Sequence, residues 1–180
     1  TDAIYAQYYK SLVEKIEMVE DFYRRMGSPS RFQITDAVQP DGLVEELVSR
    51  SYQPTISVKV QTARIENVLS GTPQGNKDIQ VFDVYDNTWM DFFTTASGKQ
   101  GDVIAVRKGI LQRITPERAF VLLKLDGVPA ACGLGVLERG WVGVFSMLTH
   151  PDFRRRGAAG LVLRALADWG QEKRAEHMYL

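Results

Sequence analysis

Three β-rich apolar runs joined by two short turns constrain this chain more than anything else in it: RAFVLLKL, then Asp126-Gly127, then VPAACGLGVLERGWVGVFSML. Asp-Gly adopts the positive φ angles of a two-residue hairpin at little cost, so the runs on either side of it are predicted to pair antiparallel. LERG at residues 137–140 then turns the chain into a third strand, Trp141 to Leu148. A meander that feeds a helix places the fold in the mixed α/β (α+β) class, a mostly antiparallel sheet flanked by helices. The longest apolar stretch, AFVLLKLDGVPAACGLGVL, is interrupted by Lys124, Asp126 and Pro129 and fails as a membrane span.

The flanking segments read less sharply. SLVEKIEMVEDFYRRMG carries Leu12, Ile16, Val19 and Phe22/Tyr23 at helical spacing, with Gly27 where a C-terminal cap belongs. RFQIT is predicted as a short strand. DGLVEELVSRSY is a second helix with Asp41 as its N-cap. PTISVKVQTARI alternates Ile56, Val58 and Val60 against Ser57, Lys59 and Gln61, the pattern of a half-buried strand. Gly, Pro and Asn cluster in LSGTPQGNKD, a weak linker. IQVFDVYDNTWMDFFTT reads as a strand leading into a short helix, and GDVIAVRKGILQRI as helical over its latter part.

Composition narrows the function classes. The 22 basic and 22 acidic residues leave no net charge, which argues against broad binding to a nucleic-acid backbone but permits a local basic site. The single cysteine, Cys132, rules out an intrachain disulfide framework and makes a reducing, cytoplasmic setting the expectation. The polar, charged start TDAIYAQYYKSLVEK is not a signal peptide. His150, His177 and Cys132 have no ligand spacing, so no metal is predicted.

The local basic site is HPDFRRRGAAGLVLRALADWG, residues 150–170. Val162, Leu166 and Trp169 recur at helical spacing with Leu163 beside them, so one face packs on the sheet while Arg164, Asp168 and Lys173 face out. The first turn of a helix leaves N–H groups unpaired and carries partial positive charge. Gly157, Ala158, Ala159 and Gly160 leave no bulk between that backbone and a ligand, and Arg154, Arg155 and Arg156 add charge. A diphosphate could take several such N–H bonds, each worth about 1.5–3 kcal/mol. Small residues at a helix start serve equally well for close helix–sheet packing, and an arginine run suits a solvated loop. GLGVLE at 133–138 is no dinucleotide fingerprint, because the third glycine is missing and a strand follows.

The loop Arg154-Arg155-Arg156-Gly157-Ala158-Ala159, its Pro-Asp-Phe lead-in, the hydrophobic strand before it and the leucine-rich helix after it resemble the GNAT superfamily of N-acetyltransferases, which carries Arg/Gln-x-x-Gly-x-Gly/Ala at this junction. The close resemblance covers residues 116–180. It implies that acetyl-CoA is the acyl donor and a small-molecule or peptide amine the acceptor, with no nucleic acid and no membrane as partner. It also implies that the amides of Arg155 through Gly160 hold the pyrophosphate, and that the backbone of Met147, Leu148 and Thr149 pairs with the pantetheine arm. A homodimer is compatible with it. By element order, residues 1–70 resemble the second half of such a domain and 71–180 the first, as expected of a piece cut from a tandem arrangement and truncated at its C-terminus.

The resemblance assigns no catalytic residue. The family often places a carboxylate base on the strand equivalent to GWVGVFSML, which here has no Asp or Glu. Its acid is a tyrosine on a later helix, which would follow Leu180. Glu138 reads as a turn residue, Tyr179 as packing, His150 as solvent-exposed, and Ser146 lacks a His or Asp partner. Cys132, Trp141 and Phe145 read as sheet core. Two other functions stay open: a non-catalytic acyl-CoA sensor on the same fold, and an interaction module presenting Tyr5, Tyr8, Tyr9, Trp89, Phe92 and Phe93.

Overall fold

The structure, a computed structural model, describes residues 10–75 and 78–180. Its chain forms two compact units that divide between Val58 and Lys59. Tyr5, Tyr8 and Tyr9 lie outside the described residues.

The first unit holds helices α1, Leu12–Arg25, and α2, Leu43–Ser49. A reciprocal capping box starts α1: Ser11 Oγ accepts from the Glu14 amide at 3.2 Å, and Glu14 Oε2 accepts from the Ser11 amide at 2.7 Å. Gly27 follows the helix at φ 64°, as its position after the last periodic residue predicts. Arg50 then ties α2 to α1, donating to Glu46 at 2.8 Å and to Glu20 at 3.1 Å. Two expectations fail here. Gly42, not Asp41, is the N-cap of α2, with φ 82° and no side-chain cap. RFQIT is irregular chain. A strand needs a partner for its backbone groups, and among the described residues this unit has no other strand.

The second unit is built on a six-stranded sheet in the order β1-β6-β5-β4-β3-β2. Its elements are β1 (Thr62–Arg64), α3 (Ile65–Gly71), β2 (Asp78–Phe82), α4 (Asn87–Ser97), α5 (Asp102–Gln112), β3 (Arg118–Leu125), β4 (Val128–Glu138), β5 (Trp141–Thr149), α6 (Ala158–Glu172) and β6 (His177–Tyr179). All neighbours are antiparallel except β5 and β6. That parallel pair needs a crossover, which α6 supplies. Both turns of the meander have positive φ at both central residues: Asp126 54° and Gly127 75°, then Arg139 51° and Gly140 79°. These are the two-residue hairpins that DG and RG select.

The continuous apolar character of β3 and β4 follows from burial on both faces. Ala119, Val121 and Leu123 point to one face, against Leu161, Val162 and Leu166 of α6. Phe120 and Leu122 point to the other, against Trp89, Met90 and Phe93 of α4. Trp89 anchors that second layer. Its ring stacks on Phe93 at 5.4 Å and meets Phe120 edge-on at 5.1 Å, while its Nε1 donates to Val121 O at 3.0 Å.

Other segments depart from the sequence pattern. Ile56, Val58 and Val60 are 82 %, 71 % and 61 % exposed, so their alternation does not mark a buried strand face. Pairing to β6 covers Thr62–Arg64, extended by mutual Gln61–Leu180 backbone bonds. The LSG of the expected linker instead ends α3, whose Ile65, Val68 and Leu69 pack in the α6 layer. Helix α5 spans most of its segment rather than the latter part. Arg164 does not face out: it donates to Leu69 O at 2.8 Å and pairs with Asp168 at 3.6 Å.

Trp89→Ala removes a fully buried ring and its Nε1 hydrogen bond to Val121 O. We expect it to lower stability by about 3–5 kcal/mol, read from denaturant unfolding followed by circular dichroism.

Candidate functional site

The site begins with an irregularity in β5. Cys132 pairs with Leu148 and Leu134 with Phe145, so Gly133 alone on β4 faces Ser146 and Met147 on β5. The extra residue is a β-bulge, and Ser146 takes it up at φ 51°. On its other side β5 pairs with β6 at Trp141, Val142 and Gly143 alone. From Val144 to Thr149 the strand has no partner on that side among the described residues.

Past the bulge, β5 runs into a short 3₁₀ turn at Pro151–Phe153 and a loop to α6. His150 does not reach toward this opening. Its Nδ1 accepts from the Asp152 amide at 3.4 Å, which makes it the cap of the turn. The first backbone bond of α6 runs from Leu161 N to Gly157 O at 3.0 Å. Among the described residues, no carbonyl or side chain accepts from the amides of Arg155 through Gly160. Of these residues, all but Arg156 line, with the end of β5, an open cleft of about 530 Å³.

Nine of the ten residues singled out in the sequence line this cleft: Met147, Leu148 and Thr149 from β5, Arg154 and Arg155 from the loop, and Gly157, Ala158, Ala159 and Gly160 from the start of α6. Arg156 does not. Its guanidinium lies 5.3 Å from the ring centre of Phe153, and Phe153 itself lines the cleft. The Phe153 contribution was legible only as part of the Pro-Asp-Phe lead-in. Arg154 and Arg155 have no carboxylate partner among the described residues, so their charge acts on the cleft. Arg154 also donates to Thr149 O at 3.4 Å, joining the loop to the strand end.

The two glycines of the loop have separate causes. Gly157 sits at φ 79°, a left-handed conformation that side chains disfavour. Gly160 is small because of the chain itself: a Cβ there would stand 2.9 Å from Pro73 Cδ. Close packing therefore explains Gly160, while the unpaired amides stay open beside it.

The other candidates separate cleanly. Met147 and Leu148 pack their side chains into the two core layers, leaving their main chain for the cleft. Glu138 lies at the hairpin end of β4, opposite Trp141. Trp141 and Phe145 are 37 % and 42 % exposed and so are not sheet core. Trp89, Phe92 and Phe93 are buried, which removes them from any contact surface. Cys132 is fully buried, and burial pushes its thiol from 9.0 up to about 12. No described helix is long and apolar enough to cross a membrane.

Comparison with known proteins decides the family. The model of the acetyltransferase (GNAT) family matches residues 81–180, more than half of the chain. The chain belongs to the GNAT acetyltransferase family. It is 25 % identical over 162 residues to the uncharacterized N-acetyltransferase YobR of Bacillus subtilis (strain 168), a match that covers 89 % of this chain and 65 % of that protein. It therefore spans less than two thirds of that relative. Among solved structures, a functionally unknown conserved protein from Staphylococcus epidermidis ATCC 12228 superposes with a TM-score of 0.58 at 12 % identity, over 93 % of this chain and 68 % of that one. A GCN5-related N-acetyltransferase from Kribbella flavida gives 0.56 at 18 % identity, over 78 % and 53 %. These two likenesses show the fold.

Two outcomes test the site's construction. Gly160→Val should lower stability by about 1–3 kcal/mol through overpacking on Pro73, and Pro73→Ala in the same chain should return part of that loss in a double-mutant unfolding cycle. Cys132 should resist an aromatic disulfide reagent at pH 8 until the protein unfolds. Because the exposed thiol ionises near 9 and the folded one near 12, the unfolded state loses its proton first, so stability should fall as pH rises above 9.

Proposed function

We propose that this GNAT-family chain binds acetyl-CoA in the cleft between β5 and α6 and transfers its acetyl group to an amine. The observation that supports the reading is a set of amides without acceptors at Arg155–Gly160, on residues of which all but Arg156 line the cleft, beside a strand edge that has no neighbour among the described residues. The amides and the positive end of a 15-residue helix suit a pyrophosphate. Arg154 and Arg155 add charge where the ligand is most anionic. The edge of β5 from Val144 to Thr149 suits an extended pantetheine arm, whose amides would pair with the strand like an added neighbour.

In this arrangement the thioester lies close to the bulge. A main-chain N–H among Met147–Thr149 would hold the carbonyl oxygen as charge develops on it. A neutral amine attacks the carbonyl carbon, the C–S bond breaks, and the proton released by the amine passes to the departing thiolate. The chain supplies binding and orientation to this step. A covalent acetyl-cysteine route finds no support, since Cys132 is buried and holds its proton up to about 12.

Calorimetric titration with CoA tests the reading, with Ala159→Pro as the decisive variant. Ala159 is exposed in the first turn of α6, where proline is tolerated, and the substitution deletes one unpaired N–H. We expect CoA to bind and the variant, with helix content unchanged by circular dichroism, to bind about tenfold more weakly. No heat from the folded protein at millimolar CoA would defeat the proposal. CoA binding without turnover across a panel of amines would favour the acyl-CoA sensor instead.

A further inference from the structure

Two features on one face of the sheet are not used by the CoA cleft. The first is an open aromatic shelf. Trp141 and Phe145 point to the face that carries Leu134, because Leu134 pairs with Phe145 and Glu138 with Trp141. Leu134 belongs to the layer under α4. His177 and Tyr179 come to the same face through their pairing with Trp141 and Gly143. Trp141 stacks on His177 at 4.5 Å, and Tyr179 meets Phe145 edge-on at 6.0 Å. Gly143 makes this possible, since a Cβ there would stand 2.6 Å from the Tyr179 hydroxyl and 2.7 Å from Phe145 Cε2.

The second feature is Arg107 of α5, at the border of that shelf. Its guanidinium lies 4.9 Å from the ring centre of Phe93 and donates to Ser146 Oγ at 3.2 Å. Ser146 is the bulge residue, next to Phe145. Those contacts use one ring face and one of the five N–H donors of the group. Among the described residues no carboxylate pairs with Arg107, although the group is half-buried. Glu138 shares the face but stands at the far end, opposite Trp141, where it pairs with Arg139. A partly desolvated cation without a counter-ion, held beside an apolar shelf, fits an anionic group on a flat apolar body.

We propose that the acceptor is an amine that also bears a carboxylate and a planar apolar body, as in an aromatic amino acid. Arg107 takes the carboxylate, and Phe145, Tyr179 and Trp141 take the ring. The inference rests on the acyltransferase reading, since the shelf and the CoA cleft share β5 and meet at the bulge. A cationic amine without a carboxylate would instead face the Arg107 charge.

The test is calorimetric titration of L-phenylalanine and L-tryptophan against phenylethylamine and tryptamine, which lack the carboxylate, and against L-alanine, which lacks the ring. Each is run with and without CoA. The aromatic amino acids should bind at least about tenfold more tightly than the others. Arg107→Gln should abolish the preference over phenylethylamine, Arg107→Lys should keep part of it, and Phe145→Ala should abolish the preference over alanine. Decarboxylated amines binding as well as the amino acids, no binding of either amino acid, or a preference that survives in folded Arg107→Gln would overturn the inference. CoA binding with no carboxylate preference would leave the acyltransferase reading intact. Absence of CoA binding would remove that reading, while the titrations without CoA would still decide whether Arg107 and the shelf form an amino-acid site.

Discussion

The site depends on unequal pairing along one strand. Three residues of β5, Trp141–Gly143, have strand partners on both sides, while beyond them Val144, Phe145, Leu148 and Thr149 pair with β4 alone and Ser146 and Met147 form the bulge. A strand edge is costly to leave bare in a folded protein, because its backbone groups seek partners. Here the bare edge leads, through the Pro151–Phe153 turn and a short loop, to the start of α6, where the helix leaves its first amides unpaired. Two different shortages of hydrogen-bond partners therefore meet in one cleft. Each alone is ordinary, and together they place two sets of main-chain groups on one cleft.

The bulge at Ser146 links this edge to the rest of the molecule. The extra residue shifts the register, so Phe145 faces the open shelf while Met147 packs in the layer against α6. It also presents a hydroxyl to Arg107, tying α5 to the bulge. The two core layers make the geometry rigid. Trp89 and its neighbours hold one face of β3 and β4, and α6 holds the other. A cleft of main-chain groups needs that rigidity, because a backbone donor cannot be re-aimed by a rotamer change.

Much of the site was legible in the residues themselves. The hairpin signals DG and RG, the periodicity of the helix after Gly160, and the small residues before it act locally, within a few positions of chain. They singled out the loop residues from Arg154 to Gly160, while Met147, Leu148 and Thr149 came only from the resemblance to the GNAT superfamily. What escaped was set by distant neighbours. Arg156 and Arg155 are equivalent as text, yet one lies over Phe153 and the other lines the cleft. Gly160 reads as room for a ligand, but its smallness answers to Pro73, some ninety positions earlier. IENVLSG carried an i, i+3, i+4 apolar pattern that the surrounding Gly and Pro obscured, and packing against α6 makes it a helix.

By itself, the sequence determined the local conformations: turn types, the meander, the amphipathic helix and the unpaired amides at its start, because each follows from short-range sterics and hydrogen bonding. The tertiary structure decided which apolar residues are covered. Ile56, Val58 and Val60 alternate as cleanly as any strand here yet remain exposed, and Trp141 and Phe145 look like core yet line an open shelf. Burial depends on what packs opposite, and that partner is chosen by topology rather than by the segment's own pattern. The juxtaposition of Arg107 with Ser146, thirty-nine positions apart, is of the same kind.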